Sequence, residues 1–401
     1  MAMQRVVVLG GGVGGTLAAN LIARKLKRPI GRGEASVTVV DSTGRHVYQP
    51  GYMYIAMGHE RPSSLVRPEA SLLDSDVNLL VDDAIRIDTL GQLVHLASET
   101  VLAYDQLIIA TGSRIVPDEI EHFDREAHHF YTADASTRLR RALDAFDGGR
   151  IVIGIAGIPY KCPPAPLEVA FLLEAELRER GLRDRTEITF LSPINRAFTI
   201  ESVSDMATPI LQEKGIGLEL LAGVASIDPE RKVVITDAFE EHPYDLLIVV
   251  PPHKGAQVLI DSGLAASSGW LPTDRHTLQV KTVPKPPPGT PDEEVPRYPN
   301  VYALGDATDL PLSKAGSTAH FEAPIVAERV AGAVLGRAPR GRDATYTGRV
   351  MCFFEVGDGK GTLLRFDYEH PPRPPTPNRA WHLGKLVFNR TYWHTVPRGR
   401  I

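Results

Sequence analysis

The chain has 401 residues, of which 43% are hydrophobic and 23% charged, and its formal net charge is −5. This length allows two or three domains with large cores. The acidic balance argues against a nucleic-acid partner, which would need a basic surplus. No apolar run of about twenty residues is present, so no spanning helix is predicted. Small-molecule chemistry is the better expectation.

The first strand begins within a few residues of the N-terminus, so we expect synthesis in the cytoplasm without a signal peptide. The sequence has two cysteines, Cys162 and Cys352. They are too few for a disulfide framework or a cysteine-based zinc site. Either the two cysteines are separate buried hydrophobic residues, or their thiols act together. His122, His128 and His129 lack metal-ligand spacing with carboxylates, so they are interpreted as a polar loop and no metal site is predicted.

The first predicted element is an apolar strand, residues 6–9, that runs directly into a glycine-rich turn and a helix. Gly10, Gly12 and Gly15 satisfy the G-x-G-x-x-G spacing. Gly10 permits the tight turn, Gly12 lets the backbone approach a pyrophosphate, and Gly15 lets the helix pack against the strand. A second strand ends in Asp41, where a carboxylate can bind a ribose diol. This order of features predicts a dinucleotide site.

Further along, the aromatic segment 48–54 is interpreted as a loop over a ligand, unlike a helix or a strand. The next predicted elements are a buried strand that stops at Ala-Thr-Gly, 110–112, and then a second α/β unit from Arg150. The later elements are a helix 168–180, strands 187–191 and 246–250, an exposed proline-rich linker 283–299, a strand 300–306 ending in Gly-Asp, a helix 323–335 and a β-like remainder.

Strands that alternate with helices predict an α/β fold with parallel sheets and crossover connections. Binding sites in such folds lie at the carboxyl ends of the strands. Gly12, Asp41, Thr111, Gly112 and Asp306 each follow a predicted strand, so one extended ligand can contact all of them.

Three motifs together resemble those of the two-dinucleotide-fold flavoproteins: the N-terminal glycine turn, the Ala-Thr-Gly turn at 110–112 and the strand that ends in Gly-Asp at 305–306. The resemblance implies FAD as the cofactor. It implies that Asp306, with Gly305, binds the ribityl chain, and that Pro50 lies at the cofactor. Lys314 follows Asp306 closely and is either at the flavin or quinone edge or a solvated loop lysine. The implied domains are 1–113 with 297–335 for FAD, 114–296 as a second Rossmann-like unit with Cys162, and 336–401 as a C-terminal region with Cys352.

Within that superfamily the chain looks most like the sulfide:quinone oxidoreductases. The resemblance rests on the segment 48–58, the run Tyr-Lys-Cys-Pro-Pro at 160–164 with Glu168 six residues after the cysteine, Cys352, and the tail around Lys385. One departure is the absence of a third cysteine near 128–132. This absence puts covalent flavin attachment and long polysulfide products in doubt.

The second α/β unit departs from a nicotinamide-binding pattern. Its turn reads Gly-Ile-Ala-Gly-Ile-Pro at 154–159, so proline replaces the third glycine and a bulky Tyr-Lys-Cys run follows. We therefore expect that no NADH site is formed there. The thiol of Cys162 takes its place.

Two cysteines that meet in the fold would supply a sulfur acceptor. Hydrosulfide attacks a disulfide sulfur and leaves a persulfide on one cysteine and a thiolate on the other. The flavin then takes up the two electrons. Lys161 either lowers the thiol pKa or points away. Glu168 either relays protons or simply stabilises a helix start.

The tail 379–394 mixes aromatic and apolar residues with cations at near-helical spacing, which suits a helix lying in a lipid interface. The other interpretation is a helix packed on the domain. The resemblance implies that Lys385 lies near the quinone, and Phe353 or Phe354 is expected to wall that pocket. A peripheral membrane location follows.

The sequence therefore favours a flavoenzyme that oxidises sulfide and reduces a membrane quinone, with sulfide, quinone and a membrane surface as partners and a homo-oligomer allowed. Three alternatives stay open. They are an NADH:quinone reductase, the flavin subunit of a sulfide dehydrogenase that passes electrons to a cytochrome, and a flavin-bound redox sensor without catalysis.

Overall fold

The computed structural model describes residues 3–282 and 295–400. The helices of this part of the chain are α1 Val13–Lys25, α2 Lys27–Gly31, α3 Tyr52–Ala56, α4 Phe123–Glu126, α5 Ala133–Ala145, α6 Ala165–Glu179, α7 Glu201–Glu213, α8 Gln257–Asp261, α9 Gly316–Val334 and α10 Arg379–Thr395.

The strands up to the middle of the chain are β1 Gln4–Leu9, β2 Ala35–Asp41, β3 Arg45–Val47, β4 Val66–Pro68, β5 Val77–Val81, β6 Ala84–Asp88, β7 Leu93–Leu96, β8 Val101–Ala103, β9 Gln106–Ile109, β10 Ser113–Ile115, β11 Ala127–His128 and β12 Gly149–Ile155. The later strands are β13 Thr186–Leu191, β14 Gly217–Glu219, β15 Val224–Asp228, β16 Val233–Thr236, β17 Glu241–Pro243, β18 Leu246–Val250, β19 His253–Gly255, β20 Gln279–Lys281, β21 Arg297–Ala303, β22 Val350–Gly357 and β23 Lys360–Phe366.

The first large sheet has the order β20-β21-β9-β1-β2-β5. All neighbouring pairs are parallel except β20 with β21. Its central strand β1 is apolar and ends in four buried residues, as expected of a strand covered on both faces. Helix α1 packs against α9, so segments from both ends of the chain share one core.

The second large sheet has the order β11-β18-β12-β13-β14 and is parallel throughout. Its strands β12 and β18 are almost entirely buried. Helix α6 covers this sheet with a long apolar face. The predicted α/β class with parallel sheets is confirmed.

The C-terminal region is a β-hairpin, β22 with β23, followed by α10. Strand β22 packs on α6, and α10 packs on the hairpin. The hairpin therefore carries Cys352 to the helix that follows Cys162. Among the described residues, no helix combines the length and the apolarity that crossing a membrane requires.

Three local predictions were wrong. The aromatic segment 48–54 is helical, with a 3-10 turn at Gln49–Gly51 followed by α3, because Pro50 has the backbone angle of a helix start. The linker ends earlier than predicted, because Arg297 pairs with Lys281 and lengthens β21, while residues 283–294 lie outside the described part. Helix α9 begins at Gly316, seven residues before the predicted start.

The domain boundaries stay a prediction, with one adjustment. The strand β20 belongs to the first sheet, although the proposed boundary at residue 296 assigns it to the second unit. The boundary moves because β20 pairs with β21 in antiparallel orientation and so forms the edge of the first sheet.

Adjacent phenylalanines on β22 predict a contrast in stability. Phe354 is fully buried, with ring centroids 6.2 Å from Phe171 and 6.4 Å from Phe198, whereas Phe353 is half-buried. We expect Phe354→Ala to lower the free energy of unfolding by about 3–5 kcal/mol through the cavity it leaves. Phe353→Ala serves as the control and costs less. Thermal melts of both variants check this, and an equal loss contradicts it.

Candidate active site

The glycine-rich turn after β1 brings the start of α1 close to the strand. Gly10 has a φ of +103°, which favours glycine. A Cβ on Gly15 would lie 1.9 Å from the carbonyl oxygen of Gly10, so only glycine fits there. A Cβ on Gly12 would meet nothing within 4 Å. The open space at Gly12 and the N–H groups of α1 form a cradle for an anion.

Asp41 ends β2 beside this turn. One carboxylate oxygen accepts the backbone N–H of Gly11 at 2.8 Å. The other accepts hydrogen bonds from Thr43 and Gly44 at 2.8–2.9 Å. Asp41 therefore shapes the turn as well as facing the cradle.

The Ala-Thr-Gly turn after β9 and the Gly-Asp turn after β21 lie on the same edge of the sheet. The hydroxyl of Thr111 is buried without a hydrogen-bond partner, and a Cβ on Gly112 would meet open space. Asp306 lies 3.5 Å from the hydroxyl of Ser113. Burial raises the pKa of Asp306, while the charges of Lys161 and Lys314 oppose that rise.

These open positions at the ends of three neighbouring strands fit an extended dinucleotide such as FAD. The cradle at Gly12 suits a pyrophosphate, and the unpartnered hydroxyl of Thr111 and the carboxylate of Asp306 are free to bind hydroxyl or ring groups. Pro50 is exposed at the start of its 3-10 turn. The preceding residue, Gln49, accepts a hydrogen bond from Lys161, and this contact places the turn near the same edge of the sheet.

Lys314 is buried and is not a solvated loop lysine. Its ammonium group donates to the carbonyl of Thr308 and lies 4.6 Å from the centroid of the Trp270 ring. Burial lowers its pKa, while Asp306 opposes the decrease.

Glu322 is a buried carboxyl group that sequence reasoning missed. It accepts the backbone N–H of Gly305 at 2.5 Å, and burial raises its pKa to about 8. Its position six residues into α9 offers no local pattern from which to predict that it supports the Gly-Asp turn.

The two cysteines approach the same short segment at the start of α9. The backbone N–H of Cys162 donates to the carbonyl of Lys314 at 2.7 Å, and the sulfur of Cys352 lies 3.6 Å from the hydroxyl of Ser317. Both side chains pack against one core cluster, are partly exposed and are free thiols. Cys162 has a φ of +53°, unusual for a residue with a side chain.

Both thiols have raised pKa values. Burial raises the pKa of Cys352 to about 11 and raises that of Cys162 further. The charge of Glu168 adds to both shifts, and the ammonium group of Lys385 lowers both. The side chain of Lys161, the neighbour in sequence, donates hydrogen bonds to Gln49 and to the carbonyl of Ser113.

Glu168 and Lys385 form a buried ion pair. The ammonium nitrogen lies 2.6 Å from a carboxylate oxygen of Glu168, and that oxygen also accepts the backbone N–H of Glu355 at 2.8 Å. Burial raises the pKa of Glu168, and Lys385 opposes the rise. Burial alone would lower the pKa of Lys385, but the charge of Glu168 raises it well above its ordinary value.

Sequence reasoning missed a second carboxylate next to this pair. Glu355 accepts the hydroxyl of Tyr54 at 2.9 Å and lies 3.2 Å from Nδ1 of His382 through the same oxygen. His382 and Lys385 are three positions apart on α10 and therefore share a face. An acidic residue in a buried strand could have indicated this cluster from the sequence, because a buried carboxylate needs polar partners.

The two predicted quinone phenylalanines lie on opposite faces of β22. Phe354 is in the core, so it cannot wall a pocket unless the core repacks. Phe353 faces α10, with its ring centroid 6.1 Å from that of Phe388.

The predicted polar histidine loop was wrong in part. His128 ends β11, and His129 is buried near His253 in the second unit. Burial lowers the pKa of His129 to about 4 and that of His253 to about 3. Within residues 3–282 and 295–400, no three His, Cys, Asp or Glu side chains are grouped to hold a metal ion.

Comparisons with known proteins agree with this architecture. The family described as pyridine nucleotide-disulphide oxidoreductase matches residues 4–323. The mitochondrial sulfide:quinone oxidoreductase of Mus musculus is 26% identical over 412 residues, covering 98% of this chain and 86% of the mouse protein. The type II NADH:quinone oxidoreductase of Mycobacterium tuberculosis is 26% identical over 330 residues, covering 76% of this chain and 66% of that protein.

A solved structure shows the same fold over nearly the full length. The X-ray structure of the sulfide:quinone oxidoreductase from Aquifex aeolicus has a TM-score of 0.80 and 21% identity, covering 99% of this chain and 92% of that one. The family and these relatives imply FAD as the cofactor.

Substitution by alanine should have different effects at two glycines of the first turn, on stability at one and on flavin binding at the other. Gly15→Ala should destabilise the fold by a few kcal/mol, since its Cβ would clash with the backbone of Gly10. Gly12→Ala should leave the melting temperature of the cofactor-free protein unchanged but weaken flavin retention about tenfold or more, because the methyl group enters the cradle. Melts and flavin content on dilution check both. Equal melting temperatures for the two variants contradict the assignment.

The raised pKa values predict slow, ordered alkylation of the thiols. Only the thiolate attacks iodoacetamide. The rate of alkylation of Cys352 should therefore rise steadily from neutral pH up to its pKa of about 11. Cys162, whose pKa is raised further, should be labelled more slowly at every pH. Mass spectrometry of the labelled peptides measures each site. Rapid labelling of both at neutral pH, or of Cys162 first, contradicts the prediction.

Proposed function

The chain belongs to the pyridine nucleotide-disulphide oxidoreductase family, and we propose that it oxidises sulfide to zero-valent sulfur with FAD and passes the electrons to a quinone. The observation that supports this most directly is the position of Cys162 and Cys352. Both contact the start of α9, and the charges of the same buried Glu168–Lys385 pair shift the pKa of both thiols.

FAD would be held by the cradle at Gly12, the hydroxyl of Thr111 and the carboxylate of Asp306. Bound there, it supplies two-electron redox chemistry between the sulfur atoms and the quinone. Lys161 and Lys314 place positive charge around Asp306. That charge would favour an electron-rich ring nearby.

The sulfur step uses the cysteine pair in its disulfide form. Hydrosulfide attacks one sulfur, the disulfide bond breaks, and one cysteine becomes a persulfide while the other leaves as a thiolate. The buried ammonium of Lys385 favours the thiolate, since it lowers the pKa of both thiols. Glu168, whose pKa burial raises, is suited to hold a proton beside them.

An NADH donor is disfavoured by the second unit. In the first unit, α1 begins at Val13, four residues after β1 ends, and its N–H groups face the cradle. In the second unit, α6 begins only at Ala165, ten residues after β12 ends at Ile155. The intervening residues hold buried Tyr160 and then Cys162, so no helix start is offered to a second pyrophosphate.

The quinone and membrane assignments rest on α10. Lys385 and Tyr392 face inward, while Leu383 and Val387 are 59% and 60% exposed. Exposed apolar residues with Arg390 beside them suit a peripheral contact with a lipid surface, where a quinone resides. A pocket of about 140 Å³ lies between the aromatic segment and α10, lined by Tyr48, Gly51, Tyr54, Glu60, Ser64, Leu65, Asn389, Arg390 and Trp393.

Anaerobic mixing tests the proposal. Sulfide should bleach the flavin of the wild-type holoenzyme rapidly, NADH should not, and a soluble quinone should restore the oxidised spectrum. Cys162→Ser and Cys352→Ser should retain flavin yet slow bleaching by sulfide about 100-fold or more, because no disulfide forms.

Ser317→Ala is the matched control, because it alters the contact of Cys352 but keeps both thiols. It should bleach at close to the wild-type rate. Near-normal bleaching in both cysteine variants contradicts the dithiol mechanism. Bleaching of the wild type by NADH supports the NADH:quinone reductase instead, and no bleaching by either donor supports a redox sensor.

A further inference from the structure

The proposed reaction requires a proton from solvent. Oxidation of hydrosulfide to zero-valent sulfur releases two electrons and one proton. Reduction of a quinone to a quinol takes up two electrons and two protons. One proton per turnover must therefore enter a site whose charged groups are buried, and general proton transfer requires a chain of groups within hydrogen-bond reach.

The polar cluster behind the cysteines brings groups of this kind together. At its inner end are Glu168 and Lys385, whose charges act on both thiols. The next group is Glu355, whose backbone N–H donates to Glu168 at 2.8 Å and whose carboxylate lies close enough for its charge to raise the pKa of Lys385. The Tyr54 hydroxyl donates to Glu355, and its ring centroid lies 5.4 Å from the Lys385 nitrogen.

His382 is the member of this cluster that reaches solvent. Its side chain is 25% exposed, whereas those of Glu355 and Glu168 are each 2% exposed. Its Nδ1 lies 3.2 Å from the carboxylate oxygen of Glu355. Imidazole is the side chain that exchanges protons most readily near neutral pH, so this position suits an entry point.

Charge balance also favours a proton on this cluster. Two buried carboxylates, Glu168 and Glu355, face one ammonium group, Lys385. A buried carboxylate without a countercharge is costly, so a donor beside Glu355 is favourable, and the partly exposed imidazole of His382 is in that position. The groups that face His382 and its partner are Glu355 on β22, Tyr54 on α3, Glu168 on α6 and Lys385 on α10.

We propose that His382 and Glu355 conduct protons from solvent to the Glu168–Lys385 pair and thereby support quinone reduction. This inference rests on the proposed function for the quinone as electron acceptor and for the proton count of the overall reaction. It assigns proton transfer to His382, which takes a proton from water at its exposed edge and passes one to Glu355. Tyr54 holds the Glu355 carboxylate in place.

The test compares His382→Gln with His394→Gln, an exposed histidine near the end of the same helix. The holoenzyme is reduced anaerobically with one equivalent of dithionite, which bypasses sulfide. It is then mixed with a water-soluble benzoquinone across a range of pH, and the return of the oxidised flavin spectrum is timed. Glutamine keeps a hydrogen bond to Glu355 but cannot transfer a proton, so the fold should be retained.

We expect His382→Gln to slow reoxidation about tenfold. We also expect it to flatten the dependence of the rate on pH, because the glutamine side chain does not titrate. Added imidazole should restore part of the rate, a rescue that a structural role would not give. His394→Gln should match the wild type. A rate within twofold of the wild type with an unchanged pH profile, or loss without imidazole rescue, overturns the inference.

The two proposals fail separately. If sulfide does not bleach the wild-type flavin, the sulfide function is wrong, while the comparison above still reports on proton entry because it starts from dithionite. If sulfide bleaches His382→Gln at the wild-type rate and only quinone-driven reoxidation slows, both proposals stand. Slowing of the bleaching alone overturns the assignment of His382 to the quinone half of the reaction.

Discussion

A buried ion pair between Glu168 and Lys385 holds the candidate site together. Because its carboxylate also accepts the backbone of β22, the pair ties three elements to one point: the helix after Cys162, the strand that carries Cys352, and α10. Two charges taken out of water are costly, and loss of either partner would leave the other uncompensated at about 3–5 kcal/mol. The elements are therefore constrained to meet at this pair.

The same pair sets the electrostatics of the sulfur atoms. Burial keeps both thiols protonated by raising their pKa values, which protects them but makes them poor nucleophiles. The hydrogen bond from Ser317 lowers the pKa of Cys352, and the ammonium group of Lys385 lowers the pKa of both thiols. The two thiols are thus partly buried and lie near one positive charge that favours their reactive form.

The two α/β units show how one supersecondary pattern supports different chemistry. In the first, glycines bring the helix start against the strand and leave open space at Gly12. In the second, the connection between β12 and α6 is long and contains a buried tyrosine and a cysteine. The connection that holds the anion cradle in the first unit holds a thiol in the second.

The sequence by itself determined what depends on near neighbours: the α/β class, the glycine turn and the strand-end acids. It misjudged the aromatic segment 48–54 and Phe354 and left the direction of Lys161 open, because a residue's partner and facing side are set by packing. Only the tertiary structure decided which groups meet across the chain. Glu168 and Lys385 are 217 positions apart, and no local spacing encodes a contact formed when distant elements dock.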